Sequence, residues 1–136
     1  MRVVIDVNIL VSYGIGKSLA DLPLVVRHPD VEIFACEELL AELLRVSRYP
    51  KLEKYLQPAR VAEVFELLTR FATFVPIVKK QAQFSDPKDN YLLDLCIAVN
   101  ADYLVTGDKP LLELGAHHQT TIIAYRDFCQ LLRPFA

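Results

Sequence analysis

Strand-like and helix-like segments alternate along the whole chain, and this alternation most constrains what the chain can fold into. Arg2–Val7 is β-branched and apolar and reads as a buried strand. Leu10 to about Arg27 is mixed: its apolar spacing suggests helix, Pro23 interrupts it, and His28-Pro29-Asp30 marks a turn. Val31–Ala35 reads as a second strand. Glu37–Arg48 is rich in helix formers, with Leu39, Leu40, Leu43, Leu44 and Ser47 on one face, and Tyr49-Pro50 stops it. Pro58–Phe74 is a further helix, with a stripe of Val61, Val64, Phe65, Leu68 and Phe71. Phe74–Val78 reads as a third strand and Pro87–Asn100 as a helix. Asp102–Thr106 is a fourth strand, followed by a short helix near Leu111–Leu114. Thr120–Ala124 is a fifth strand and Arg126–Leu132 a last helix.

Strands that alternate with helices build right-handed β-α-β crossovers and a parallel sheet covered on both faces. The expected architecture is therefore a three-layer α/β/α sandwich with a central, mostly parallel five-stranded sheet. No linker or internal repeat divides the 136 residues, so a single domain over 1–136 is expected.

Composition excludes several classes of protein. No apolar run is long enough to span a membrane and no secretory leader precedes the first strand pattern, so a soluble, cytoplasmic protein without membrane contact is expected. Cys36, Cys96 and Cys129 are far apart, odd in number and set in apolar contexts, which fits small buried hydrophobes rather than a disulfide framework or a zinc site. A net charge of −2 argues against nonspecific coating of nucleic acid, though acidic catalytic residues beside a local basic patch remain compatible with a nucleic-acid enzyme.

In an open α/β sheet, ligands bind beyond the carboxyl ends of the strands, so the polar residues leaving the strands there are the ones to weigh. Asp6 and Asn8 follow the first strand, and Thr106 and Asp108 the fourth. Each Asp on its own is equally a helix cap or turn residue. Two such ends in one parallel sheet shift the balance toward a shared site. Glu42 borders the apolar arc of its helix, where an acid can reach the sheet edge, although a surface ion pair is the narrower favourite on spacing alone. Asp86 and Asp89 have the spacing of a capping box at the start of their helix, which leaves room for a second role for Asp89. Asp94 falls on the least apolar side of that helix and reads as solvated. His117-His118 reads as an exposed loop pair. Carboxylates gathered at one edge repel one another and call for a hard divalent cation. No zinc motif, phosphate-binding glycine loop or dinucleotide fingerprint is present.

Three stretches carry a family resemblance: VVIDVNILVS, ELLAELLRVSRYPKL and SDPKDNYLLDLCIAVNADYLVTGDKPLLEL. In this order and spacing they resemble the successive blocks of a PIN domain, and most closely the prokaryotic PIN-family toxins of toxin–antitoxin systems, the VapC type. The segment ADYLVTGD is the most telling part. The resemblance implies a Mg²⁺- or Mn²⁺-dependent ribonuclease that hydrolyses a phosphodiester with an ion-activated water and no covalent nucleophile. It implies Asp6, Glu42, Asp89 and Asp108 as catalytic and metal-holding acids, with Asn8, Thr106 and Asp86 supporting them. It also implies an RNA substrate, an antitoxin partner and a homodimer. Arg45, Arg48 and Lys51 follow Glu42 and are candidates for the RNA backbone, as Tyr49 and Tyr55 are for base stacking; ordinary surface roles compete for each.

Two other readings compete. One is a catalytically weak PIN-like binding module that acts through a protein or RNA partner. The other is a phosphoacceptor receiver-type domain, which also gathers acids, a Thr and a Lys around magnesium. That class needs an Asp at the end of the third strand, where this chain has Lys79-Lys80.

Overall fold

The computed structural model describes residues 1–16, 19–78 and 89–133. Strand β1 (Arg2–Ile5) leads directly into helix α1 (Val7–Ile15), and α2 (Leu22–Val26) follows. Strand β2 (Glu32–Ala35) leads into α3 (Glu37–Ser47), then the short α4 (Pro50–Glu53) and the long α5 (Pro58–Phe71). Strand β3 (Thr73–Phe74) precedes α6 (Asn90–Val99) and β4 (Tyr103–Val105). The chain ends in α7 (Lys109–Leu114), β5 (Ala116–His117), β6 (Thr120–Ile123) and α8 (Tyr125–Leu132).

The six strands form one sheet in the order β3-β2-β1-β4-β6-β5. All neighbours are parallel except β5, which pairs antiparallel with β6 as a hairpin edge. This β5 is the strand beyond the expected five. Successive strand residues face opposite sides of a sheet, and Val3, Val4 and Ile5 are all buried, so helices cover both faces. The three-layer α/β architecture expected from the alternation is the one observed.

The order of the strands creates the place for a site. From β1 the chain moves outward through β2 to β3, then returns to lay β4 on the other side of β1. The crossovers therefore reverse between β1 and β4, and a crevice opens at such a switch point, beyond the carboxyl ends of the strands. The registers place Ile5 beside Val105, and the Asp6 amide donates to the Val105 carbonyl at 2.9 Å. Asp6 and Thr106 thus leave adjacent strands at the same level.

Several boundaries differ from expectation for identifiable reasons. Strand β1 ends at Ile5, and Val7 and Asn8 already belong to α1, which buries Val7, Ile9, Leu10, Tyr13 and Gly14. A helix buried on several sides lacks a polar stripe, so in sequence it resembles a continuing strand. Tyr49-Pro50 does end α3, but Pro50 then opens α4 at the helical position that needs no N–H. Strand β3 is only two residues long. Val75 still donates to the Ala35 carbonyl at 2.9 Å, and Pro76 next to it has no N–H to extend the ladder. Phe71, assigned to the apolar stripe of α5, is partly exposed near the end of that helix. The expected helix start at Asp86-Pro87 lies outside the described residues.

Candidate active site at the strand switch point

Asp6 caps α1. Its backbone is extended (φ −65°, ψ 147°) and its side chain accepts from the Asn8 amide at 3.4 Å through Oδ1. Its other oxygen, Oδ2, accepts from the Thr106 hydroxyl at 2.7 Å. The same Thr106 Oγ1 accepts from the Asp108 amide at 3.0 Å, so one buried hydroxyl ties the ends of β1 and β4 together. A second tie runs beside it: the Gly107 amide donates to Asn8 Oδ1 at 3.4 Å. Asp108 caps α7, and its Oδ2 accepts from the Leu111 amide at 3.2 Å. Asp89 occupies the position just before α6.

Three of the four candidate acids therefore sit at helix N-termini, where the peptide dipoles favour negative charge. For Asp6 and Asp108 the cap and the site are one arrangement and not alternatives. Glu42 arrives differently, from within α3, and is half-buried. Asp6, Glu42, Asp89 and Asp108 line one cleft of about 380 Å³ together with Val7, Asn8, Val11, Ser12 and Val46.

Asp6 carries the clearest electrostatic signature. Only 5% of its surface is exposed. Burial pushes its carboxyl up to about 6, the Thr106 and Asn8 hydrogen bonds pull it down, and Glu42 and Asp108 add repulsion. The donor set is hard oxygen, which suits Mg²⁺ or Mn²⁺. Among the described residues no three acidic, histidine or cysteine side chains are gathered closely enough to grip one ion together. An ion of the Mg²⁺ type fits such a spacing, because it is commonly held by one or two carboxylates and keeps several waters.

One residue here escaped the sequence reading. The Tyr91 hydroxyl, from the first turn of α6, donates to Glu42 Oε2. Burial, that hydrogen bond and the charges of Glu42 and Asp6 push the phenol above its ordinary value. The available signal was its place two residues after Asp89. Asp94 corrects an expectation: it is buried, not solvated, since α6 is covered on nearly every side of its middle turns. His117 is likewise no loop residue but part of β5, half-buried and edge-on to His118 at 4.6 Å. Asp86 lies outside the described residues. Arg45, Arg48 and Lys51 are exposed at the end of α3 and in α4. Arg45 donates to the Tyr49 hydroxyl, with its guanidinium 5.7 Å from the ring centre. Cys36, Cys96 and Cys129 are all buried and unbridged, as expected.

The family model for the PIN domain matches residues 2–110. The chain belongs to the PIN domain family. That match spans all four acids and ends just after Asp108. No curated protein matches the sequence. Among solved structures, this PIN domain is similar to a chain in the crystal structure of VapBC2 from Rickettsia felis bound to a DNA fragment from their promoter. The TM-score is 0.57 at 17% identity, covering 91% of this chain and 98% of that one. At that identity the likeness shows the shared fold. No helix among the described residues is long and apolar enough to cross a membrane.

Proposed function

We propose that this PIN domain is a Mg²⁺- or Mn²⁺-dependent endoribonuclease, folded as a single domain over 1–136 and acting in the cytoplasm as the toxin of a toxin–antitoxin pair. The observation that carries the reading is the lining of one cleft, at the strand switch point, by four acids from four separate elements. When bound there, a divalent ion neutralises the phosphate and lowers the pKa of the water that attacks phosphorus.

In this reading Asp6, Glu42, Asp89 and Asp108 hold the ion, directly or through its waters. Thr106 fixes the direction of the Asp6 carboxylate, and Asn8 holds the two strand ends in register. Asp86 is assigned a supporting role on the resemblance alone. Arg45, Arg48 and Lys51 contact the RNA backbone, on the strength of their exposure beside the α3 residues that line the cleft. The VapBC2 neighbour supports an antitoxin partner, and a homodimer is the proposed oligomeric state.

The spacing of the acids favours one second reading. Because no three of them close on a common point, a PIN-fold binding module with weak activity would show the same cleft. A cleavage assay on mixed RNA substrates with Mn²⁺, comparing Asp6→Asn and Asp108→Asn, separates the two. The nuclease reading expects loss of cleavage in both variants. Cleavage indifferent to both substitutions refutes it, and Mn²⁺ binding without any wild-type cleavage favours the module.

A further inference from the structure

Serine and threonine hydroxyls inside helices often turn back onto a carbonyl of their own helix. Ser47 in α3 does so to the Leu44 carbonyl at 2.9 Å, and Thr69 in α5 to the Phe65 carbonyl at 3.0 Å. Ser12 in α1 does not. It is half-buried and lines the acid cleft, one helical turn after Asn8. Asp6, Asn8, Glu42 and Asp108 each spend a side-chain oxygen on a hydrogen bond. Among the described residues, no group hydrogen-bonds the Ser12 hydroxyl.

A serine side chain is one hydroxyl held close to the helix backbone, so a serine that lines a cleft brings a hydroxyl to its wall. That group can both donate and accept. None of the described residues lining the cleft is basic, and Val7 and Val11 beside Ser12 are apolar. The charged oxygens of a phosphodiester therefore find their partner there in a bound cation, and the hydroxyl suits a neutral group. In RNA the neutral polar group nearest the phosphorus along the chain is the ribose 2′-hydroxyl, on the carbon next to the one that carries the 3′ phosphate. DNA lacks it, and through it a protein tells the two apart at a given position.

We propose that Ser12 sets the sugar preference of the cleft: its hydroxyl hydrogen-bonds the ribose 2′-hydroxyl beside the scissile phosphate and favours RNA over DNA at that nucleotide. The inference rests on the reading of the cleft as a ribonuclease site and deepens it. The four acids and their cation act on the phosphate, which RNA and DNA share.

The test starts by mapping a cleavage site of the parent protein in mixed RNA with Mn²⁺. A synthetic oligonucleotide carrying that site is then made in all-ribose form, and again with a single 2′-deoxy sugar on the 5′ side of the scissile phosphate. The parent is expected to cleave the all-ribose strand with a kcat/KM roughly 3- to 10-fold higher, the scale of one neutral hydrogen bond. Ser12→Ala, with thermal melts verifying its fold, is expected to remove that factor by slowing cleavage of the all-ribose strand alone. Any effect of the 2′-deoxy sugar on the chemistry itself persists in the variant and so cancels from the comparison. No sugar preference in the parent overturns the proposal. So does a ratio unchanged in Ser12→Ala, or an equal loss on both strands, which is what a merely structural role produces. Asp6→Asn separates this from failure of the site. If the parent cleaves no RNA, or Asp6→Asn cleaves as well as the parent, the ribonuclease reading fails and the proposal with it. If Asp6→Asn abolishes cleavage while Ser12→Ala keeps the ratio, only the role of Ser12 is lost.

Discussion

Replacing Asp6 by Asn is expected to make the metal-free protein more stable. In the folded chain burial holds the Asp6 carboxyl at about 6, against an ordinary value of 3.8. The folded state therefore takes up the proton more readily than the unfolded chain. Below the lower value both states are protonated and burial of the group carries no ionisation cost. As pH rises through the interval the folded state must bury a charge, and the stability present in acid is lost. The gap corresponds to about 3 kcal/mol once the group is ionised in both states, falling to roughly half that near pH 5. Asn keeps the shape and can still accept from the Asn8 amide, but its NH₂ donates to Thr106 Oγ1, so the Thr106 hydroxyl proton must turn to another acceptor, a cost independent of pH that offsets part of the gain. Thermal melts in chelator, from about pH 4 to 8, should show an effect of Asp6→Asn that shifts toward stabilisation as pH rises, by up to roughly 10 °C between acid and neutrality. Added Mn²⁺ should stabilise the parent and not the variant. Equal stability of the two proteins across the range, without metal, would refute the claim that Asp6 is held ionised at a cost.

Thr106→Val removes a hydroxyl that serves Asp6 and the Asp108 amide at once. It is expected to cost about 1–3 kcal/mol in urea melts and to raise the Asp6 value further, which carboxyl NMR titration would detect. Gly16→Ala should destabilise by about 1 kcal/mol or more, because Gly16 has φ 88° and a Cβ there would run into the Gln57 side chain. Burial pushes the Cys36 and Cys96 thiols up to about 11 and 12, and Cys129 upward as well. A thiol reagent at neutral pH should leave all three unmodified in the native protein and label them in denaturant.

The layered fold was legible because alternation of strand and helix survives errors in every boundary. The strand cores around Val3-Val4, Ile33-Phe34 and Leu104-Val105 are apolar on both faces, and nothing else explains them. The site was legible only where polar residues interrupt such runs, at Asp6 and at Thr106-Gly107-Asp108. What stayed hidden depended on contacts between distant elements. The spacing of Glu42 leaned slightly toward a surface ion pair, because nothing on α3 announces the Tyr91 hydroxyl waiting on α6. Asp94 looked solvated since periodicity describes one helix at a time, and α6 is covered from more than one direction. Strand β5 is two residues long, too short for any alternation to register.

The hydrogen bond between Thr106 and Asp6 joins residues 100 positions apart. It exists only because β4 is laid beside β1 after the chain has travelled out to β3 and back. Assembly of the cleft is consequently tied to time. A ribosome adding roughly 5–20 residues per second needs on the order of ten seconds between making the first of these acids and the last. Throughout that interval Asp6 has neither Thr106 nor Asp108 beside it, and β1 has at most one of its two neighbours. An acid cleft built this way is absent from the growing chain and comes into being only after the fourth strand has emerged.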